Sequence, residues 1–205
     1  NYDLAVSGTK LIALGLFKKT VIADRLSPYV AMVFDHPNDY QGIPVIVASV
    51  FFAFQIYCDF SGYTDIAIGS SRLLGKNLIK NFNLPYLSAS FTEFWKRWHI
   101  SLSSWFRDYV YIPLGGNKVN SQRLYLNLAL VFIASGLWHG ATWSFILWGA
   151  YHGLFIVLER LFLLDLYKKI GKLPRVLLTF FIVVIGWVFF KVEKLSDAFI
   201  FIQHL

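Results

Sequence analysis

The sequence predicts an all-α, polytopic integral membrane protein. The chain of 205 residues is 57% hydrophobic and only 15% charged, where soluble domains carry roughly 25% charged residues. Its mean hydropathy is +0.55. A soluble fold with so little charge has too few polar groups to cover its surface. The apolar residues also gather in runs separated by glycine, proline and basic clusters. None of these runs is the clean stretch of about twenty residues that a simple anchor needs. Short, polar-interrupted runs suit several helices that pack on each other and enclose a polar path. The chain reads as a single membrane domain over residues 1–205, a fragment from the centre of a longer polypeptide: it starts at Asn1, and no charged-then-apolar leader precedes its first run.

The net charge is +7. In a soluble protein that excess would raise nucleic acid as a partner. Here the basic residues stand between apolar runs, as cytoplasmic flanks do under the positive-inside rule. The lipid bilayer is the expected partner, and nucleic acid is not. The single cysteine, Cys58, leaves no internal disulfide.

Residues 4–17 (LAVSGTKLIALGLF) are apolar but broken by Ser7, Gly8 and Lys10, and Lys18, Lys19, Asp24 and Arg25 follow. This predicts a helix that reaches or skirts an interface. His36, Pro37, Asn38 and Asp39 make a loop that Gly42 and Pro44 close. Residues 43–58 form a strong span candidate. It runs on without a break into DFSGYTDIAIGSSRLLG, where Asp59 and Asp65 stand among small residues. Small residues let helix backbones approach closely in a membrane. Carboxylates at that depth are costly and are paired or functional. Asp65 and Arg72, two helical turns apart, are placed to share a face. Residues 76–88 read as a loop turning at Pro85.

Ser90 to Tyr109 (SFTEFWKRWHISLSSWFRDY) predicts one amphipathic helix of about five turns. Ser90 and Glu93 make a capping box, and Glu93 and Arg97 are spaced for an i,i+4 ion pair. Aromatic residues recur at helical spacing along one face. The stretch is too polar to cross a bilayer, so an interfacial or protein-buried position is expected. Residues 124–138 form a second span candidate, about 15 residues or roughly 23 Å long, and Trp143 to Leu158 a third. Both outer ends of this pair are basic and its apex, HGATW, is not. The pair therefore reads as a helical hairpin whose ends are cytoplasmic and whose tip carries His139. Residues 176–190 form a fourth span candidate, and SDAFIFIQHL begins another element.

No phosphate-binding glycine loop, nucleophile elbow or H-E-x-x-H occurs, and no two histidines stand at metal-ligand spacing on a helix. A metal site is not expected. The chemistry-bearing candidates are His99, His139 and His152, each with tryptophans nearby. Gly136 and Gly140 flank Leu137-Trp138-His139 and let another helix or a ligand come close. A histidine near its ordinary pKa, held where water is scarce, can act as the general base that deprotonates a hydroxyl. No serine or cysteine stands beside it as an obvious nucleophile, which favours direct transfer of a group to an alcohol. The competing reading is a transporter or flippase whose buried Asp and His residues line a solute path.

DFSGYTDIAIG (Asp59 to Gly69), NFNLPY (Asn81 to Tyr86), EFWKRWHISLSSWFRDYVYIPLGGN (Glu93 to Asn117) and GLWHGATW (Gly136 to Trp143) resemble the membrane-bound O-acyltransferase (MBOAT) family. The branch they look like comprises the bacterial alginate and peptidoglycan O-acetyltransferases. The resemblance runs from about Gly15 to Arg160. It implies a helical bundle around a tunnel, with amphipathic and re-entrant helices, in a multi-pass protein of the bacterial cytoplasmic (inner) membrane. It implies transfer of an acyl group, acetyl in this branch, from a cytoplasmic thioester such as acetyl-CoA to a hydroxyl acceptor, without a bound cofactor. The family's catalytic histidine falls on His139 and its second histidine on His99. Trp95, Trp98, Trp138, Asp59, Asp65 and His152 then line the tunnel or substrate path. Lys96, Arg97 and Arg107 are candidates for holding the donor's phosphates. The resemblance also implies a periplasmic acetyltransferase or polysaccharide-export proteins as partners.

Overall fold

Small residues decide how closely the helices approach, and every element among residues 2–205, which this computed structural model describes, is helical or loop. The all-α expectation holds. The chain forms two compact units. One runs to Phe82 and takes in Gln203–Leu205; the other spans Asn83–Ile202.

The first unit contains helices α1 (Tyr2–Leu16), α2 (Asp24–Phe34) and α3 (Ile43–Leu73), with a π-helical turn at Phe17–Ala23 between the first two. Residues 43–73 form one helix of 31 residues, about 46 Å long at 1.5 Å per residue. That exceeds a hydrocarbon core of about 30 Å. α1 lies along α3 through two glycine pairs. A Cβ on Gly15 would come 2.5 Å from the carbonyl oxygen of Gly62, and one on Gly8 2.6 Å from that of Gly69. The spacing of seven residues is two turns on each helix, so both pairs fall on one seam. The π-turn then carries Lys18 and Lys19 across to α3. Lys18 Nζ lies 2.6 Å from Asp65, and Lys19 Nζ lies 2.7 Å from Asp59 and 3.0 Å from Asp24. Asp65 thus pairs with Lys18 from the neighbouring helix, and not with Arg72 on its own. The glycine seam brings the lysine within reach, which spacing along a single helix cannot show. The loop at 36–42 is closed by the chain's end: Gly42 N–H donates to His204 O, and His204 Nδ1 lies 2.9 Å from Pro37 O and 3.0 Å from Tyr40 O.

The second unit contains α4 (Phe91–Arg97), α5 (Ile100–Phe106), α6 (Ser121–His139), α7 (Trp143–Leu158), α8 (Leu164–Lys169) and α9 (Lys172–Lys191), with α10 beginning at Leu195. α6 and α7 form the expected hairpin. Cβ atoms on Gly136 and Gly149 would each fall 2.3 Å from a carbonyl oxygen of the opposite arm, Phe145 and Phe132 respectively. α7 runs through a π-helical turn (Glu159–Leu163) into α8, and α9 packs on α7. The core is aromatic, built around buried Trp148, Trp187, Phe91 and Phe94.

Among the described residues, three helical stretches are long and apolar enough to cross a membrane: Ile43–Leu73, Trp143–Lys169 and Lys172–Lys191. α6 is not among them, although residues 124–138 read as a span. Its 19 residues reach about 28 Å, but they include Arg123, Asn127, Ser135 and His139. Asn127 is buried and donates from Nδ2 to Leu114 O.

The predicted five-turn helix from Ser90 to Tyr109 is two short helices. Trp98 is extended (φ −103, ψ 130) and His99 is left-handed (φ 44, ψ 55), so α4 ends and α5 starts in a new direction. Arg107–Tyr111 then form a π-helical turn. The expected single greasy face is divided accordingly. Phe91, Phe94, Trp98 and Phe106 are buried, while Trp105 and Tyr109 are exposed. Burying Trp98 against Trp187, at 4.8 Å between ring centroids, takes precedence over helical periodicity.

Candidate active site

α6 ends on His139, and the short turn to Trp143 leaves the imidazole at the hairpin tip. Its Nδ1 lies 2.7 Å from the Ser135 carbonyl oxygen, one turn back. A carbonyl oxygen only accepts, so Nδ1 carries the proton and donates. Nε2 is left with its lone pair, the form a general base requires. Aromatic rings box the imidazole: Trp138 and Trp148 at 4.9 Å, Phe190 at 5.4 Å and Phe145 at 6.3 Å. The backbone hydrogen bond and the box together fix the direction of the ring.

His99 stands at the α4–α5 break. A non-glycine residue at positive φ is uncommon and strained by about 1 kcal/mol or more, and such residues cluster at functional sites. Trp138 is shared between the two histidines, its ring 6.2 Å from that of His99 and 4.9 Å from that of His139. Burial first, and then the charge of His139, push the His99 pKa down to about 4. His99 is therefore neutral at pH 7, and a proton on either ring disfavours one on the other. The sequence separates these residues by forty positions, and the fold makes them an electrostatic pair.

α4 and its C-cap bring two further candidates, Trp95 and Trp98, to this region. Ser90 caps α4 as expected, its Oγ accepting from Glu93 N–H at 3.1 Å. Glu93 reaches back to Ala89 N–H at 2.6 Å and also pairs with Arg97 at 2.6 Å. Trp95 and Trp98 both point into the core. Trp95 packs on His152 (5.0 Å), on Trp148 (5.8 Å) and on Phe132 (5.1 Å). Trp98 lies against Trp187 and Phe94, and Trp187 Nε1 donates to Tyr86 Oη at 3.2 Å. His152 is fully buried, and neither ring nitrogen has a hydrogen-bond partner among the described residues. Nor do the indole N–H groups of Trp95 and Trp148. The imidazole fits only because Gly186 on α9 has no side chain: a Cβ there would come 2.7 Å from His152 Nε2.

The remaining candidates are exposed or have partners of their own. Asp59 and Asp65 belong to the other unit and are engaged by Lys19 and Lys18. Of the donor-binding candidates, Lys96 is exposed, Arg97 is engaged by Glu93, and Arg107 makes a two-point contact with Asp108 at 2.7 and 3.0 Å. Among the described residues no cluster of three His, Cys, Asp or Glu is placed to hold a metal ion.

Glu159 stands one residue past the third span candidate, and no sequence motif assigned it a role. It is 1% exposed, and its carboxylate accepts from the N–H groups of Phe91 and Thr92 and from Thr92 Oγ1. One signal was available: Glu159 follows His152 by two helical turns, which puts it on the same inward face.

Comparison with known proteins gives the family. The profile of MBOAT, the membrane-bound O-acyltransferase family, matches residues 4–191. The chain is 44% identical over 196 residues to the probable alginate O-acetylase AlgI of Azotobacter vinelandii, a match covering 96% of this chain and 39% of that protein. It is 40% identical over 201 residues to the peptidoglycan O-acetyltransferase of Helicobacter pylori, covering 97% of this chain and 38% of that protein. It is 35% identical over 169 residues to the teichoic acid D-alanyltransferase of Streptococcus thermophilus, covering 77% and 40%. The chain thus spans about two fifths of the length of the curated relatives it matches.

Proposed function

This chain belongs to the membrane-bound O-acyltransferase family, and on that premise we propose that it is the catalytic centre of a bacterial O-acetyltransferase. The enzyme takes an acetyl group from a cytoplasmic thioester, such as acetyl-CoA, to a hydroxyl acceptor, for the modification of a cell-envelope or exported polysaccharide. Relatives named for alginate and peptidoglycan O-acetylation support that substrate class. The observation that carries the mechanism is His139: Nδ1 is occupied by the Ser135 carbonyl, and the lone pair of Nε2 remains available at the hairpin tip.

His139 Nε2 takes the proton of the acceptor hydroxyl as its oxygen attacks the thioester carbonyl carbon. The carbon–sulfur bond then breaks, and the thiolate leaves. The proton on the imidazolium passes to sulfur, so the products are an ester and a free thiol. His99, neutral beside His139, is a second polar group for orienting an acceptor or donor, and Trp138 walls off both. Trp95, Trp98 and His152 shape the surroundings. Lys96, Arg97 and Arg107 are the candidates for the donor's phosphates, Arg97 and Arg107 after exchange of their carboxylate partners. At the bacterial inner membrane, a periplasmic acetyltransferase or proteins of polysaccharide export then pass the acetyl group from that acceptor to the polysaccharide. For the solute-path alternative no observation speaks, since Asp59 and Asp65 are neutralised by lysines.

The test is incorporation of label from acetyl-CoA into polysaccharide by membranes containing the full-length protein. Removal of a general base costs about 10²- to 10⁴-fold, so His139→Ala should lose activity on that scale. Activity at the wild-type level in His139→Ala would overturn the assignment.

A further inference from the structure

We infer that Glu159 is a positioning residue: it pins the first turn of α4 to α7 and thereby sets where His99 lies beside His139. The inference rests on the acyl-transfer reading for its kinetic consequence, and on geometry for the pin itself.

α4 has seven residues. Two turns of helix are too short to be stable alone, because most of a helix's stability comes from packing. Its first N–H groups have no partner within the helix. Ser90 satisfies only that of Glu93. The N–H groups of Phe91 and Thr92 donate instead to the Glu159 carboxylate, which arrives from the end of α7, and Thr92 Oγ1 adds a third donor. A buried carboxylate is costly unless fully hydrogen-bonded, and here a helix N-terminus supplies both donors and a favourable dipole. α9 holds the same turn from another side, with Arg175 Nε donating to Ala89 O at 3.2 Å.

From this pin α4 runs along α7. Phe91 and Trp95 pack on His152, and Trp95 packs on Trp148, the residue that also walls His139. α4 then delivers Trp98 and the left-handed His99. Releasing Glu159 frees the end of α4 that its own sequence cannot hold, and the shift is passed to His99.

The experiment compares Glu159→Ala and Glu159→Gln in the full-length protein by kinetics and by hydrogen exchange. A displacement of about 1 Å can lower a rate by about 10²-fold. Glu159→Ala should therefore lose about 10²-fold in kcat with KM for acetyl-CoA unchanged. Glu159→Gln, which keeps an acceptor oxygen, should recover at least part of that loss. Amide exchange in residues 90–99 should quicken in Glu159→Ala while residues 143–156 stay protected. Wild-type kcat in Glu159→Ala, unaltered exchange at 90–99, or a glutamine variant no better than alanine would each overturn the inference. Should Glu159→Ala not accumulate, Glu159→Gln and Thr92→Val carry the comparison. If the wild-type protein transfers no acetyl group, the proposed function fails, and exchange at 90–99 alone decides the pin.

Discussion

Adding one methyl group at Gly136 should damage both the hairpin and the reaction. A Cβ there would lie 2.3 Å from Phe145 O and 3.1 Å from its carbonyl carbon. Ordinary contact begins near 3.4 Å, so the two arms must part by about 1.1 Å. The obstacle is backbone of the opposing helix, which cannot rotate aside as a flexible side chain would. Alanine gains about 1 kcal/mol over glycine in helix propensity, but overpacking costs typically 1–3 kcal/mol and occasionally more. We expect Gly136→Ala to lose about 1–2 kcal/mol net. His139 follows Gly136 by three residues on the same helix, so the displaced arm carries the imbalance to the imidazole. A shift of about 1 Å corresponds to roughly 10²-fold in rate. The assays are the thermal inactivation midpoint of the full-length protein in detergent and acetyl transfer in membranes. Gly171→Ala is the control: its φ is −66, and its nearest neighbour, Pro174 Cδ, is 3.9 Å away. A Gly136→Ala protein matching wild type in both assays would refute the claim that this glycine sets the spacing of the arms.

Acid should weaken the fold through His99. Its folded pKa of about 4 lies below the ordinary value of 6.5, so the native state binds fewer protons than the unfolded chain. Its contribution is complete above pH 6.5 and is lost as pH falls toward 4. His99→Gln should flatten the thermal midpoint over that window, and a profile parallel to wild type would contradict the burial argument. Asp65→Asn should destabilise the first unit by about 1–2 kcal/mol, because it leaves Lys18 largely buried without its partner, whereas Asp59→Asn, on a half-exposed pair, should cost no more than about 0.5 kcal/mol. Gly186→Ala drives a methyl into the His152 ring and should cost about 1–3 kcal/mol. Combining it with His152→Ala should cost less than the two separate losses added, and simple additivity would show that the ring does not depend on that glycine.

Local chemistry alone made much of this molecule legible. The hairpin, its two histidine-flanking glycines and the Ser90 cap follow from apolar runs, turn residues and capping rules acting over a few positions. His139 at the tip follows from the same signals. The helix break at Trp98 and His99 was not readable, since local periodicity runs straight through it. Only the burial of the Trp98 indole against Trp187, 89 positions away, makes the strained φ of His99 worth adopting. α6 read as a span because its apolar residues outnumber its polar ones, yet Asn127 is buried on a carbonyl of the same unit.

By itself, then, the sequence determined an all-helical membrane protein of this family, with a histidine at the tip of a hairpin. Those properties depend on composition, period and motif, which are one-dimensional. Tertiary structure alone decided which groups face each other. It paired Asp65 with Lys18, set His99 beside His139, enclosed His152 over Gly186 and brought Glu159 to the first turn of α4. The physical reason is common to all four. Contacts between helices are fixed by how closely backbones approach, within about an ångström, and by which buried polar atom can reach a partner. Neither quantity is carried by the spacing of residues along one helix.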